Sequence, residues 1–330
     1  MPMSNNVKYF SNNTDPVQKN KKISRLTLGT VQLGLEYGIA NQTGKPTTET
    51  AYEILQKAVD AGVAHFDTAP LYGNSETIIG NFLGKLSQSH PHPVVITKIP
   101  SLSLPSGSSF QTVFQAVKTS IQKSAHHLKL SQIPICLLHG GDGITAHCGR
   151  VVDSLIRLKE DGLIGRIGAS VYSCQEVEAF LNVADFDVIQ IPMNLFDRRI
   201  ANAGLLADLI ERNISIFARS IFLQGLFFID PKRLPAHLAV AYKPLTQLRD
   251  LCTTYGMRID QAAVVYVRDC LLVDSLVIGV ETVGQLQHNL ELMQGAPMPK
   301  EMTECINALF GNLPEALIWP YLWTLKEKTL

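Results

Sequence analysis

The stretch AHFDTAPLYGNSE, residues 64–76, places an acid, Asp67, at the end of a short apolar run and a phenol, Tyr72, in the segment behind it, with a helix start at Ser75. A short apolar run that ends in turn residues reads as a buried strand. The fold is decided by whether this strand, loop and helix recur, and they do. RLTLGT (25–30) precedes an amphipathic stretch from about Thr48 to Ala61, PVVITK (93–98) one around residues 109–128, and IPICLLH (133–139) one ending near Lys159. IGRIGAS (164–170) and DFDVIQIP (185–192) each lead into another helix. NISIFARS (213–220) leads into a long loop and the helices of residues 242–270, and DSLVIG (274–279) into the helix of residues 282–293. Strand candidates that each feed a helix, with little room between them for anything else, predict an α/β fold, the (β/α)8 TIM barrel. A doubly wound sheet alternates too, but it wants G-x-G-x-x-G after its first strand, and LGTVQLG (28–34) lacks that spacing.

A chain of 330 residues that is 46% hydrophobic can fill a large core. The expected organisation is a single barrel domain over residues 23–330 with a C-terminal extension. It follows a mobile tail, residues 1–22, rich in Asn, Ser and Lys and holding at most a short strand. Lys+Arg 29 balance Asp+Glu 29, so no net field steers the chain toward nucleic acid or an anionic membrane. The start lacks the apolar core of a signal peptide, and no run of about eighteen apolar residues offers a membrane span. A cytoplasmic protein is expected. The 6 cysteines are scattered without C-x-x-C, which reads as reduced thiols and no metal site.

In a barrel, side chains at the carboxyl ends of the strands converge on the mouth. Asp67 ends the second strand, Tyr72 lies in the loop behind it, Lys98 ends the third and His139 the fourth. Each has an ordinary alternative: a turn cap for Asp67, a loop tyrosine, a snorkelling lysine, a histidine satisfied by backbone. Together they suit carbonyl reduction, which needs a proton delivered to oxygen while a hydride reaches carbon. Tyr72 donates, Lys98 lowers the phenol's pKa, Asp67 holds the ammonium, and neutral His139 orients the carbonyl.

These residues, with LGTVQLG, FDTAPLYGNSE, ITK, LLH, IGAS, VIQIPMN, ARSIFLQG and VIGVETVGQLQHN in order from Leu28 to Asn289, resemble the aldo-keto reductases. The resemblance implies barrel enzymes that take a nicotinamide cofactor, NADP with NAD as the alternative, without a Rossmann domain. It implies Gly29 and Thr30 on the cofactor wall, and Ser170 and Gln190 at the nicotinamide carboxamide. Val171 stands where many members have asparagine. Arg219 stands where well-known members stack a tyrosine, and its guanidinium either lies over the nicotinamide or forms a salt bridge at the strand end. Ser220, Phe222, Gln224 and Gly225 fit the pyrophosphate segment, and Gly279 to Asn289 the adenosine end, with Asn289 at the adenine. Gln285 occupies the place of a common arginine.

The loops after LYG, after LLHGGDG and between Leu226 and Pro244 are expected to close the mouth. The stretch LGTVQLGLEYGIANQTGKP resembles bacterial sugar-modifying members, which points to a small carbonyl substrate such as a sugar or nucleotide-linked sugar. The alternatives are a non-catalytic cofactor-binding barrel, acting as auxiliary subunit or redox sensor, and a metal-dependent hydrolase built on His139 and Asp67. A monomer or a homodimer is expected, the aromatics of IWPYLWTLKEKTL either folding over the barrel or making the dimer contact.

Overall fold

The computed structural model describes residues 24–87 and 90–324, so the tail of residues 1–22 lies outside the described residues. Strands β1 (Leu26–Gly29), β2 (His65–Asp67), β3 (Val94–Ile99) and β4 (Ile133–Leu138) are followed by β5 (Ile164–Ser170), β6 (Val188–Pro192), β7 (Ser215–Arg219) and β8 (Ser275–Gly279). They lie in sequence order as a closed barrel, with β1 parallel to both β2 and β8. The intervening helices are α1 (Thr48–Asp60), α2 (Ser75–Leu83), α3 (Phe110–Leu128), α4 (Arg150–Glu160), α5 (Cys174–Leu181) and α6 (Leu205–Glu211). After β7 come α7 (Tyr242–Thr254) and α8 (Ile259–Arg268), and after β8 come α9 (Val283–Gln294) and α10 (Lys300–Leu309). The barrel expected from the sequence is the barrel found.

Helix starts are fixed by side chains that accept otherwise orphaned amides. Thr47 takes the amide of Thr50, Ser109 that of Thr112, and Thr282 that of Gln285. Ser173 and Glu176 form a reciprocal capping box at α5. Residues 109 and 282, expected inside helices, are therefore caps just outside them.

Alternation along the strands sorts the core into two parts. Ile96, Ile135, Leu137, Val188 and Phe217 form a small cluster of their own inside the barrel. Their strand neighbours Val95, Cys136, Ile189 and Ala218 belong to the large cluster under the helices. The other inward positions include a polar set: Thr27 Oγ1 lies 2.8 Å from Ser275 Oγ, and Arg166 donates to Ser215 Oγ at 2.7 Å. His65 packs edge-on against Phe217, with centroids 5.6 Å apart, and burial, with Arg166 adding to it, lowers its pKa to about 4.

This register positions the site. Two residues beyond Ile96, Leu137, Val188 and Phe217, on the same side of the sheet, come Lys98, His139, Gln190 and Arg219. Two beyond His65 comes Asp67.

Candidate active site

Lys98 is 1% exposed, and its ammonium is fully engaged. Nζ donates to Asp67 Oδ1 at 2.8 Å, to Asp67 Oδ2 at 2.9 Å and to Thr68 O at 2.9 Å, and it reaches Tyr72 Oη at 3.3 Å. A buried ammonium is tolerated only with such partners. Asp67 is held in turn: the Gln190 amide donates to its Oδ1, and the Thr30 amide and hydroxyl both donate to its carbonyl, at 3.0 and 2.8 Å. Ser75, the first residue of α2, bonds Thr30 Oγ1 at 2.8 Å and so ties the loop carrying Tyr72 to the end of β1. Gly34 allows that loop to approach, because a Cβ there would meet Tyr72 O at 1.7 Å.

His139 meets the Tyr72 ring edge-on, with centroids 5.5 Å apart and planes at 78°. Burial, then Lys98 and Arg219, lower its pKa to about 3, so the ring is neutral across the physiological range. Its Nδ1 has no partner among the described residues. The phenol departs from expectation. Burial first, and then the charge of Asp67, raise the Tyr72 pKa well above 10. Asp67 offsets the ammonium, so in the resting site the pair does not acidify the phenol; it keeps the proton on it.

A cavity of about 380 Å³ opens over these groups. Asp67, Tyr72 and His139 line it, while Lys98 and Gln190 stand behind the wall. Of the expected cofactor residues, Gly29, Thr30, Ser170 and Arg219 are on its surface, as are Ser220, Phe222, Gln224 and Gly225 and, toward α9, Gly279, Gln285 and Asn289. Gln190 is 0% exposed with its amide on Asp67, so the structure does not bring it to the cavity surface beside Ser170; its Oε1 and that of Gln32, which does line the cavity, are buried and unpartnered among the described residues. A Cβ on Gly279 would meet Gln32 Oε1 at 2.1 Å, so the bare backbone there keeps the wall open for Gln32. An orphaned buried acceptor and a glycine-lined wall fit an elongated polar ligand of the nicotinamide dinucleotide kind.

Arg219 forms no ion pair with a carboxylate among the described residues. Its Nε donates to Ser170 Oγ at 3.1 Å and its Nη2 to Val171 O at 2.8 Å, and its guanidinium lies 4.1 Å from the Tyr172 ring centroid. Neither expectation for Arg219 includes this stack. Tyr172 stacks in turn on Trp319, centroids 6.2 Å apart, and Trp319 faces Arg199 at 5.8 Å. The C-terminal aromatic therefore folds over the barrel mouth.

Segments after β1 and β7 meet at the cavity. Gln224 Nε2 donates to Tyr37 Oη at 3.0 Å and Ile39 N to Gln224 O at 2.9 Å. Ser220, Leu223 and Gln224 hold left-handed φ angles of 62°, 48° and 54°, with Gly225 at 91°. Three non-glycine residues in that region store strain at a cavity wall. The stretch between Leu226 and Pro244, expected as a loop, is wound into short 3-10 turns, with Phe227 in the core and Phe228 on the cavity. Tyr37, Tyr172 and Asp260 also line the cavity and went unread in the sequence, and His288 lines it too, given no role of its own within the block Gly279 to Asn289. The tyrosines carried no motif of their own, and Asp260 and His288 come from separate helices that only the fold joins.

Among the described residues no cluster of three metal-ligating side chains exists, and no helix is long and apolar enough to cross a membrane. The chain is 23% identical over 300 residues to an uncharacterized oxidoreductase of Bacillus subtilis, covering 87% of this chain and 92% of that one. It is 27% identical over 297 residues to a D-threo-aldose 1-dehydrogenase of a Pseudomonas species, covering 78% and 88%. Its fold superposes on an aldo-keto reductase of Bacillus halodurans in its holo form with a TM-score of 0.70 at 21% identity, covering 91% of this chain and 97% of that one. Residues 25–310 match the aldo/keto reductase family, nearly the whole of the barrel, and the chain accordingly belongs to that family of nicotinamide-dependent oxidoreductases.

Proposed function

We propose that this protein reduces an aldehyde or ketone, with Tyr72 as the proton donor and a polyhydroxylated compound, a sugar or nucleotide-linked sugar, as substrate. The observation that carries the reading is the Lys98 ammonium, bonded to Asp67 yet 3.3 Å from Tyr72 Oη. When bound, the nicotinamide cofactor supplies a hydride to the carbonyl carbon.

The chain's own residues do the rest. As negative charge gathers on the carbonyl oxygen, the Tyr72 O–H bond breaks and its proton passes to that oxygen. The phenol's raised pKa keeps this proton in place at neutral pH until the charge appears. The charge left on Tyr72 Oη then faces Lys98 Nζ, and Asp67 holds the ammonium for it throughout. His139, neutral, has one N–H to direct at the carbonyl oxygen from beside the Tyr72 ring. Solvent returns the proton to Tyr72 once product leaves. In the opposite direction the same groups act in reverse order, Tyr72 accepting the proton.

The sugar assignment rests on the relative whose name is an aldose dehydrogenase. The cavity supports it, since Tyr37 and Tyr172 give aromatic faces with polar tips and Phe228, 45% exposed, gives an apolar lip. For the cofactor we propose NADP, with selectivity over NAD no more than modest. Gln285 offers no charge to a 2′-phosphate, and its Oε1 is taken by the Glu281 amide at 2.7 Å. The 6 cysteines are free thiols, which supports a cytoplasmic setting.

The test is a panel of aldoses, keto-sugars, aromatic aldehydes and short ketones with NADPH and NADH, followed at the nicotinamide absorbance. Turnover of a sugar carbonyl is expected. Tight cofactor binding with no turnover on any carbonyl would replace the enzyme by a cofactor-sensing barrel.

A further inference from the structure

Where α8 and α9 border the cavity, one carboxylate engages two basic side chains. Asp260 Oδ2 lies 2.7 Å from Arg258 Nη2 and 2.5 Å from His288 Nε2, and Oδ1 lies 3.1 Å from Arg258 Nε. The two basic groups also touch, Arg258 Nη2 to His288 Nε2 at 2.6 Å. Asp260 is held in place by the backbone N–H of Gln261, which donates to Oδ1 at 2.9 Å. Asp260, Glu281, Gln285, His288 and Asn289 line this part of the wall, and among the described residues on it none is lysine or arginine. The reduction chemistry uses none of this cluster.

We propose that Asp260 is the residue that limits selectivity for NADPH over NADH: it folds Arg258 and His288 onto itself and so withholds them from the cofactor's ribose 2′ position. The inference rests on the reading that the cavity takes a nicotinamide dinucleotide with its adenosine beside α9. A 2′-phosphate carries close to two negative charges and is best met by a guanidinium fork. Here the Arg258 fork is already closed on Asp260, and the wall itself offers two carboxylates, Asp260 and Glu281. The amino end of α9 favours an anion, but only weakly beside two formal charges. A ribose 2′-hydroxyl meets no such repulsion and has an acceptor in Asp260. The cation absent from position 285 is thus not missing from the region; Arg258 is there, turned away.

Dissociation constants for NADH, NADPH, 5′-AMP and 2′,5′-ADP, measured by tryptophan fluorescence or calorimetry, test this without catalysis. Asp260→Asn keeps the shape of the side chain and removes its charge. It is expected to improve NADPH relative to NADH by about tenfold or more, the ordinary value of a hydrogen bond to a charged group, and to do the same for 2′,5′-ADP relative to 5′-AMP. The gain should shrink as salt is raised, because Arg258 is exposed. Adding Arg258→Gln to Asp260→Asn should remove most of it. An NADPH-to-NADH ratio that stays within about twofold of wild type in Asp260→Asn, or a parallel weakening of both cofactors, overturns the proposal. Failure of the wild-type protein to bind either dinucleotide overturns instead the reading beneath it.

Discussion

Replacing Lys98 by methionine keeps an unbranched stem in a closely packed place and deletes one ammonium. In the folded protein that leaves the Asp67 carboxylate, 6% exposed at its side chain, with the Gln190 amide as its remaining side-chain donor. Breaking a buried pair from one side costs about 3–5 kcal/mol. For a chain of this size, at roughly 2 °C for each kcal/mol, the melting temperature should fall by about 6–10 °C. The catalytic loss is worked from the 3.3 Å between Nζ and Tyr72 Oη. Unit charges at that distance interact by about 5 kcal/mol at an effective dielectric near 20. With roughly half a charge developed on the phenol oxygen in the transition state, about 2.5 kcal/mol of stabilisation disappears, on the order of 10²-fold in kcat. Calorimetry and steady-state kinetics on the purified variant read the two effects separately. A Lys98→Met protein that melts within about 2 °C of wild type and turns over within about threefold of it would show that the ammonium neither balances Asp67 nor serves Tyr72. It would make Lys98 an ordinary lysine that happens to end a strand.

Three further outcomes are expected. His65 has its pKa lowered from the usual 6.5 to about 4, so between those values the unfolded chain binds a proton that the folded chain refuses. Stability therefore falls as pH falls through this window, by about 3 kcal/mol from this residue, and His65→Leu should flatten melting temperature against pH there; parallel slopes would count against it. Trp319→Ala removes the support under Tyr172 and, through it, Arg219, so KM should rise severalfold with a smaller change in kcat; an unchanged KM would show that the C-terminal stack does not shape the site. Gln285→Arg should tighten NADPH by roughly tenfold or more and leave NADH nearly unchanged, and equal effects on both would move the 2′-phosphate away from α9.

The barrel was legible because each strand is a short apolar run and each helix an amphipathic one, and because the site residues follow the core by two positions. Ile96 and Lys98, Leu137 and His139, or Phe217 and Arg219 are pairs that a period of two joins without any knowledge of the tertiary fold. The cavity wall was legible from the family resemblance wherever a contiguous block supplies it, as at residues 220–225 and 279–289, where the resemblance places the cofactor and the structure places lining side chains. What stayed hidden depends on side-chain choices among several partners. Gln190 can face a ligand or Asp67, and the structure turns its amide to Asp67. Arg219 can lie over a ligand or against Tyr172, whose position is fixed by Trp319, far away in sequence. The direction of the phenol's pKa could not be read from residue types either. A tyrosine beside a lysine suggests acidification, and only burial and the two-oxygen grip of Asp67 on Lys98 reverse it.

In the proposed reaction Tyr72 delivers the proton while other residues hold the cofactor. Tyr72→Phe removes one oxygen from a ring that keeps its edge contact with His139. The decisive measurement is a single-turnover experiment, with enzyme in excess over NADPH and a carbonyl substrate identified from the panel, beside a cofactor titration on the same protein. The expected result is a rate lowered by at least about 10²-fold with a dissociation constant for NADPH within about twofold of wild type. A Tyr72→Phe enzyme that oxidises NADPH at the wild-type rate would remove Tyr72 from the role of proton donor.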